Sequence, residues 1–404
     1  MIKAYKYRIY PTKKQEIEFE NNIEACCSIW NWALAPRYED REIYLKSLRE
    51  GVKIKTKILT YWDQTYLFTK LRNENHALKK YHYGMCADII NRVYKAQKNN
   101  LSGRATFPHF KGKYKPISSF TFPKASKNLI TETGNKLSLV EVPKIGKVKI
   151  FLDRPLPEGK IKTLQIIRKQ SHWYAAISIE IADVPKKEIS SIVGVDVGLE
   201  SFLTTSEGEK ENPPRYLRKA EKKLILLQRK ASRRKLGSNR RRKANRNVAR
   251  LHGRIADRRK DFYGKVAHKL YFRYDTVGVE DLQIRNMVKN RHVAKSISDA
   301  GWGNFVHALE NKAESEGCRL IKVPPQYTSQ ICSRCGEIVQ KTLSVRMHKC
   351  DKCNLVLDRD HNAAINIRNR VASTLRGGNT ADCTRKSLKK GKSRETSKSK
   401  IQLF

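Results

Sequence analysis

Three acidic residues recur in one kind of setting. Asp196 sits in the apolar run Gly194-Val195-Asp196-Val197-Gly198-Leu199-Glu200, Glu280 closes Thr276-Val277-Gly278-Val279-Glu280, and Asp360 lies in Asp358-Arg359-Asp360-His361-Asn362. Strand alternation puts Gly194 and Asp196 on one face and Val193, Val195 and Val197 on the other, which is the expected core face. A carboxylate on a half-buried strand loses hydration unless it is paired, hydrogen-bonded or bound to a metal, and the flanking glycines leave room for a close approach. Each acid also has a plain structural reading: Asp196 as a strand-end residue, Asp360 as a helix N-cap. Together they point further, because carboxylates brought that close repel unless divalent cations sit between them. Such a site could hold two Mg2+ ions about 3.5 to 4 Å apart, activating a water and stabilising the leaving 3′ oxygen of a phosphodiester. Asp281 rivals Glu280, but alternation points it with the valines.

A second constellation stands out by spacing alone. Cys332 and Cys335, fourteen intervening residues, then Cys350 and Cys353 make two CxxC pairs. Four thiolates so spaced predict one tetrahedral, closed, structural Zn2+ site, and zinc binding can supply on the order of 10 kcal/mol of folding free energy to so small a module. Gly336 and Asn354 suit the turn after each pair, and His348 is a spare ligand with no vacancy to fill. The remaining five of nine cysteines, Cys26, Cys27, Cys86, Cys318 and Cys383, read as ordinary thiols, since an odd count without a secretory signal argues against a disulfide framework.

The elements that must position these groups follow from periodicity. Lys3 to Ile9 alternates as a strand, and Pro11-Thr12 opens a helix with an apolar face through Phe19, Ile23, Cys27, Trp30 and Leu34. Further helices are expected over Lys57 to Leu71 and His76 to Asn99, with aromatic and basic residues interleaved. Strands at Ser119 to Phe122, Lys136 to Val142, Lys147 to Phe151, Lys162 to Lys169 and Trp173 to Ile181 have the pattern of a small antiparallel barrel or sandwich. Lys3 to Ile9 would complete it, leaving the helices as an insertion. Beyond a linker at Val184 to Lys187, strands are expected around Asp196, at Phe202 to Thr205, Thr276 to Glu280, Arg319 to Val323 and Leu355 to Leu357. A basic loop, Arg285 to Lys295, should lead into a helix over Ser296 to Glu316, and another helix should begin at Asp360. That order fits an RNase H-like α/β sheet.

Charge narrows the partner. Lys and Arg number 84 against 39 Asp and Glu, a net +45 over 404 residues, more than solubility would favour and suited to a polyanion. The densest part is Arg215 to Lys260, with 20 basic residues opposed only by Glu221 and Asp257. Its spaced Leu, Ile and Val residues predict two long basic helices broken at Gly237-Ser238-Asn239. Phosphate contacts are expected from Arg218, Lys222, Arg229, Arg233, Arg234, Arg240, Arg241 and Arg242. No run approaches the ~20 apolar residues needed to span a bilayer, and Met1 to Lys14 lacks a signal-peptide core, so a cytoplasmic protein that follows DNA in the nucleoid and makes no membrane contact is expected. The Lys, Arg and Ser rich segment from Thr384 to Lys400 reads as a disordered tail.

GVDVGLE, the strand ending in Glu280, SISDAGWGNF (Ser296 to Phe305), the paired CxxC motifs and DRDHNAAINI together resemble the TnpB family, insertion-sequence nucleases related to type V CRISPR effectors. The likeness covers essentially the whole chain, from YRIYPTKKQ onward. It implies a multidomain α+β fold: an RNase H-like (RuvC) α/β nuclease domain with an inserted zinc ribbon, a small β-barrel wedge domain and a helical recognition insertion. The implied boundaries are 1–10 and 104–185 for the wedge barrel, 11–103 for the recognition helices and 186–328 for the nuclease domain with its basic helices at 215–260. The ribbon would span 329–354, the last nuclease part 355–380 and the tail 381–404. By position, Asp196, Glu280 and Asp360 match the family's catalytic acids, Asp360 being favoured over Asp358, and the four cysteines match its zinc ligands. The resemblance implies an RNA-guided DNA endonuclease that holds a guide RNA and recognises a short flanking motif. It would cleave matched double-stranded DNA with two Mg2+ ions, and a monomer is the expected state. Two rivals are an integrase-type transposase, which usually orders its acids Asp, Asp, Glu, and a nuclease-silent RNA-guided regulator, against which the intact acids argue.

Overall fold

The computed structural model describes residues 1–52, 59–112, 116–125, 129–133, 137–170, 172–342 and 345–376. The expected tail, Cys383, and the expected first residues Lys57 of a helix and Lys136 of a strand lie outside them. The fold is mixed α/β and multidomain, with two compact units that part between Asp183 and Val184.

The first unit begins with β1 (Ile2–Tyr10), α1 (Lys13–Arg49), α2 (Tyr61–Glu74) and α3 (Tyr83–Leu101). It continues with β2 (Ser119–Phe122), β3 (Ile130–Thr131), β4 (Ser138–Val142), β5 (Gly146–Phe151), β6 (Lys160–Lys169) and β7 (His172–Glu180). The strands form one antiparallel sheet in the order β2-β6-β7-β1-β5-β4-β3. β1 lies between β7 and β5, from Ile2 opposite Glu180 to Ile9 opposite Trp173. Among the described residues no pairing joins the edge strands β2 and β3. Thr12 starts α1 with a capping box: its hydroxyl accepts from the Gln15 amide while the Gln15 side chain accepts from the Thr12 amide. Phe19, Ile23, Trp30 and Leu34 of α1 and Met85, Ile89 and Val93 of α3 then share a core with Phe120, Val148, Ile150 and Ile177 of the sheet. Cys26 takes the fully buried place and Cys27 is half-buried.

The helix expected from His76 to Asn99 is split into a 3-10 turn at His76–Lys80 and α3. The Arg72 guanidinium donates to the carbonyls of Leu78 and Tyr81, which satisfies the backbone where a continuous helix would have done so. Arg92, one of the interleaved cations, serves the fold instead: it pairs with Asp88 at 2.7 Å and donates to the Ser119 carbonyl and the Thr121 hydroxyl.

In the second unit, β8 (Ile192–Asp196), β9 (Leu203–Thr205), β10 (Lys210–Glu211), β11 (Thr276–Glu280) and β12 (Arg319–Val323) form a sheet in the order β10-β9-β8-β11-β12. β8, β11 and β12 are parallel, while β9 and β10 run antiparallel. The helices are α4 (Tyr216–Ser232), α5 (Asn239–Arg273), α6 (Ile284–Met287), α7 (Arg291–Ala300), α8 (Trp302–Glu316) and α9 (Arg359–Arg376). Among the described residues β13 (Met347–Lys349) and β14 (Val356–Asp358) pair only with each other, so the strand expected at Leu355 to Leu357 belongs with the cysteine segment and not with the central sheet. The expected basic loop, Arg285 to Lys295, is largely helical, in α6 and the start of α7. The single helix expected over Ser296 to Glu316 breaks at Gly301, whose φ of 65° no β-carbon residue adopts freely. Packing enforces the break, because the Tyr263 hydroxyl lies against Gly301 and donates to the Ala300 carbonyl.

Both faces of the sheet are covered, not only the valine face. Val193, Val195, Val277 and Val279 pack against Phe202, Tyr263, Phe305 and Leu309, contributed largely by α5 and α8, each buried aliphatic side chain stabilising by about 1.5 to 3 kcal/mol. On the other face Gly194 and Gly278 stand opposite each other in register, and α9 comes down on them. A β-carbon on Gly194 would collide with the Ala364 carbonyl and the Arg368 amide, and one on Gly278 with Val371 and Ile367. The close approach that the glycines permit is therefore made by a helix of the chain itself.

The two basic helices form, with Ser238 capping α5 through the Arg241 amide. Arg215, before α4, is left-handed with a φ of 48° and offers no side-chain cap. Buried Asp299 of α7 substitutes, accepting from the amides of Leu217 and Arg218 and pairing with Arg259 of α5 at 2.7 Å. One carboxylate thus ties α4, α5 and α7 together.

Candidate active site and metal centre

The three acids reach one place by three routes. Val195 of β8 stands beside Val279 of β11, and one step further Asp196 and Glu280 end adjacent parallel strands, whose spacing is about 4.8 Å. α9, lying on the glycine face, begins at the same end, and Asp360 Oδ2 is 3.7 Å from where a β-carbon of Gly198 would stand. The helix starts there because Asp358 caps it, its Oδ1 accepting from the amides of Asp360 and His361. The N-cap expected at Asp360 is therefore Asp358, which also pairs with Lys210 at 2.9 Å. Burial works against the charge on Asp358, but Lys210 and the two amides outweigh it and hold the carboxyl below its usual range. Asp360 is left in the first turn with an ion pair to Arg359 at 3.2 Å.

The electrostatics follow from this placement. Asp196 is only partly covered from solvent, yet loss of hydration, then repulsion from Glu280 and Asp360, pushes its carboxyl well above the usual range, against the pull of Arg359 and the Val197 amide. Glu280 is also raised, by burial, opposed by a hydrogen bond from Thr328 and by Arg370. The repulsion falls on Asp196. Three carboxylates are hard oxygen donors of the kind Mg2+ and Ca2+ prefer. Asp281 is exposed. Sequence reasoning missed Thr328, whose hydroxyl donates to Glu280 Oε1 at 2.5 Å; it sits in a loop after Pro324-Pro325 with no periodic signal.

The four cysteine sulfurs lie within 4.8 Å of one another, with 3.5 Å between those of Cys332 and Cys353 and between those of Cys335 and Cys350. A tetrahedral zinc with 2.3 Å bonds would need sulfurs about 3.8 Å apart, so the cage fits such an ion. Gly336 and Asn354 turn the chain after each pair at φ 78° and 55°. Burial opposes ionisation of Cys332, but the amides of Cys335 and Arg334 and the side chains of His348 and Cys353 hold its thiol below the usual range; burial and the neighbouring sulfurs push Cys353 up. His348 is fully buried beside Cys332 and is engaged by Lys341.

The segment leading into the first cysteine pair is pinned to α9. Asn362 accepts from the Ser333 amide and donates to the Ile331 carbonyl, while Asn366 donates to the carbonyls of Thr328 and Ile331. Both asparagines are buried.

Of the eight expected phosphate contacts, Lys222, Arg229, Arg233, Arg234, Arg240 and Arg242 are exposed on α4, α5 and the turn between them. Arg218, also exposed, donates to the Ser296 hydroxyl, and half-buried Arg241 donates to the Arg234 carbonyl, so these two are partly engaged within the fold.

A layered α/β unit with two acids at strand ends, a third in the first turn of a helix at the same end, and a four-cysteine centre is what the fold presents. Family models described as "Probable transposase", "Cas12f1-like, TNB domain" and "Helix-turn-helix domain" match residues 176–291, 302–367 and 1–43. The chain is 32% identical to a "Putative RNA-guided DNA endonuclease" of Streptomyces pristinaespiralis over 90% of this chain and 88% of that one. It is 29% identical to the "Putative RNA-guided DNA endonuclease InsQ" of Escherichia coli (strain K12), over 91% of each. This chain belongs to the TnpB family. A solved Cas12f1-sgRNA-target DNA complex contains a chain of similar fold, with a TM-score of 0.58 at 14% identity, covering 91% of this chain and 99% of that one. Despite the third description, residues 1–43 here are β1 followed by one uninterrupted helix. Among the described residues no helix is long and apolar enough to cross a membrane.

Proposed function

We propose that this chain is an RNA-guided DNA endonuclease of an insertion sequence, which binds a transposon-derived guide RNA, checks a short flanking DNA motif and cleaves matched double-stranded DNA. The observation that supports the reading is that Asp196 and Glu280 end adjacent parallel strands while α9 brings Asp360 to the same end of the sheet, in a chain that shares most of its length with relatives named for that activity. Delegating sequence choice to base pairing suits a protein whose main binding feature is backbone-directed charge.

In this reading the second unit is an RNase H-like (RuvC) nuclease domain over 186–328 and 355–380, interrupted by a zinc ribbon at 329–354. Residues 1–10 and 104–185 are a wedge barrel, 11–103 a recognition insertion and 381–404 a basic tail. Asp196, Glu280 and Asp360 would hold two Mg2+ ions, and the four cysteines one structural Zn2+. When bound, the paired cations would supply an activated water and charge stabilisation at the leaving oxygen. The protein's part is to fix three carboxylates at strand and helix ends that cannot shift independently, and to hold the nucleic acid along α4 and α5.

The test is Asp196→Ala in the purified protein with its co-purifying RNA. Cleavage of a matched plasmid in Mg2+ should be abolished while RNA binding persists. Retained cleavage would sink the assignment.

A further inference from the structure

Glu280 has a neutral hydroxyl set against it. Thr328 Oγ1 lies 2.5 Å from Glu280 Oε1 and 3.1 Å from the Pro325 carbonyl. A hydroxyl has one proton to donate, and the shorter, charge-assisted bond to the carboxylate takes it. That bond restrains the carboxylate rotation, committing Oε1 to Thr328 and leaving Oε2 free of that bond. Thr328 is itself buried and cannot drift, because the Asn366 side chain holds its carbonyl at 2.8 Å. Three residues on, Asn366 and Asn362 both hold the Ile331 carbonyl, and Asn362 accepts from Ser333 within the first cysteine pair. The loop is thus fastened at one end to the helix that carries Asp360 and at the other to the four-cysteine centre.

We propose that Thr328 is a positioning residue for Glu280, orienting its carboxylate for cation binding, and that the Asn362 and Asn366 clamp together with the cysteine centre keeps it in place. The inference rests on the reading of the three acids as a divalent-cation site. Removing such an outer partner characteristically weakens metal binding by about 10- to 100-fold.

The probe is Mn2+, titrated by electron paramagnetic resonance into the full-length RNA-bound protein. Thr328→Val, nearly the same shape without the hydroxyl, should bind Mn2+ at least about 10-fold more weakly while retaining the wild-type zinc content, which reports that the fold is intact. Thr328→Ser should restore binding. In cleavage assays the Mg2+ concentration for half-maximal rate should rise in Thr328→Val more than the saturating rate falls. Stripping zinc from wild-type protein should weaken Mn2+ binding in the same direction. Asp196→Ala separates the two levels of the argument: Mn2+ binding that survives in it overturns the cation site itself. If Asp196→Ala loses Mn2+ and Thr328→Val binds as tightly as wild type, only the role of Thr328 is overturned.

Discussion

Gly194→Ala places one methyl group between β8 and α9. Built on the present backbone, it would stand 2.5 Å from the Arg368 amide nitrogen and closer still to the Ala364 carbonyl oxygen, against an ordinary contact of 3.4 to 4 Å. Both obstacles are helix backbone, which cannot rotate aside as a side chain would. The helix must therefore retreat by about 1 Å or more, at an overpacking cost of roughly 1 to 3 kcal/mol. For a unit of this size that corresponds to a fall in melting temperature of about 2 to 12 °C. The helix carries Asp360 in its first turn, and a displacement near 1 Å at a catalytic group can cost about 100-fold in rate. Thermal melting and single-turnover cleavage of matched DNA should therefore both respond. Gly264→Ala is the control: this glycine is exposed within α5 with nothing within 4 Å of the added carbon, and the change should stabilise by about 0.5 to 1 kcal/mol. A Gly194→Ala protein that melts and cuts like wild type would refute the packing of α9 on Gly194. One that melts early yet cuts at the wild-type rate would refute the link between that packing and the position of Asp360.

Two further outcomes are expected. Asp299→Ala leaves the largely buried Arg259 without its partner and uncaps α4, and should cost about 3 to 5 kcal/mol; urea denaturation showing under 1 kcal/mol would contradict the three-helix tie. Arg229→Ala and Arg233→Ala should each reduce the slope of log affinity for RNA against log salt by about 0.7 to 0.9, whereas Arg241→Ala, already bonded to the Arg234 carbonyl, should reduce it less; equal slopes in all three would argue against phosphate contacts along α4 and α5.

Local pattern was enough to mark the candidate groups and the elements that carry them. Alternating valines mark β8 and β11 and place their acids at strand ends, because a strand's two faces are set by a period of two. The cysteine pairs mark a metal cage, because ligand spacing is a property of a few adjacent residues. The two basic helices and the break between them follow from spaced apolar residues and a Gly-Ser-Asn stop. What no local pattern carries is which surfaces meet. Gly194 looks like an opening for a ligand until α9 is seen resting on it. Asp358 and Asp360 are two residues apart in one motif, and only the direction of the first helical turn makes one the cap and leaves the other with the acids. Thr328 sits in a loop with no chemical signature, and Asp299, though inside the SISDAGWGNF motif, has nothing beside it in sequence that names its partner; their partners, Glu280 and Arg259, lie 48 and 40 residues away in sequence. Such contacts depend on how separate elements dock, a matter of long-range packing that neither composition nor period encodes.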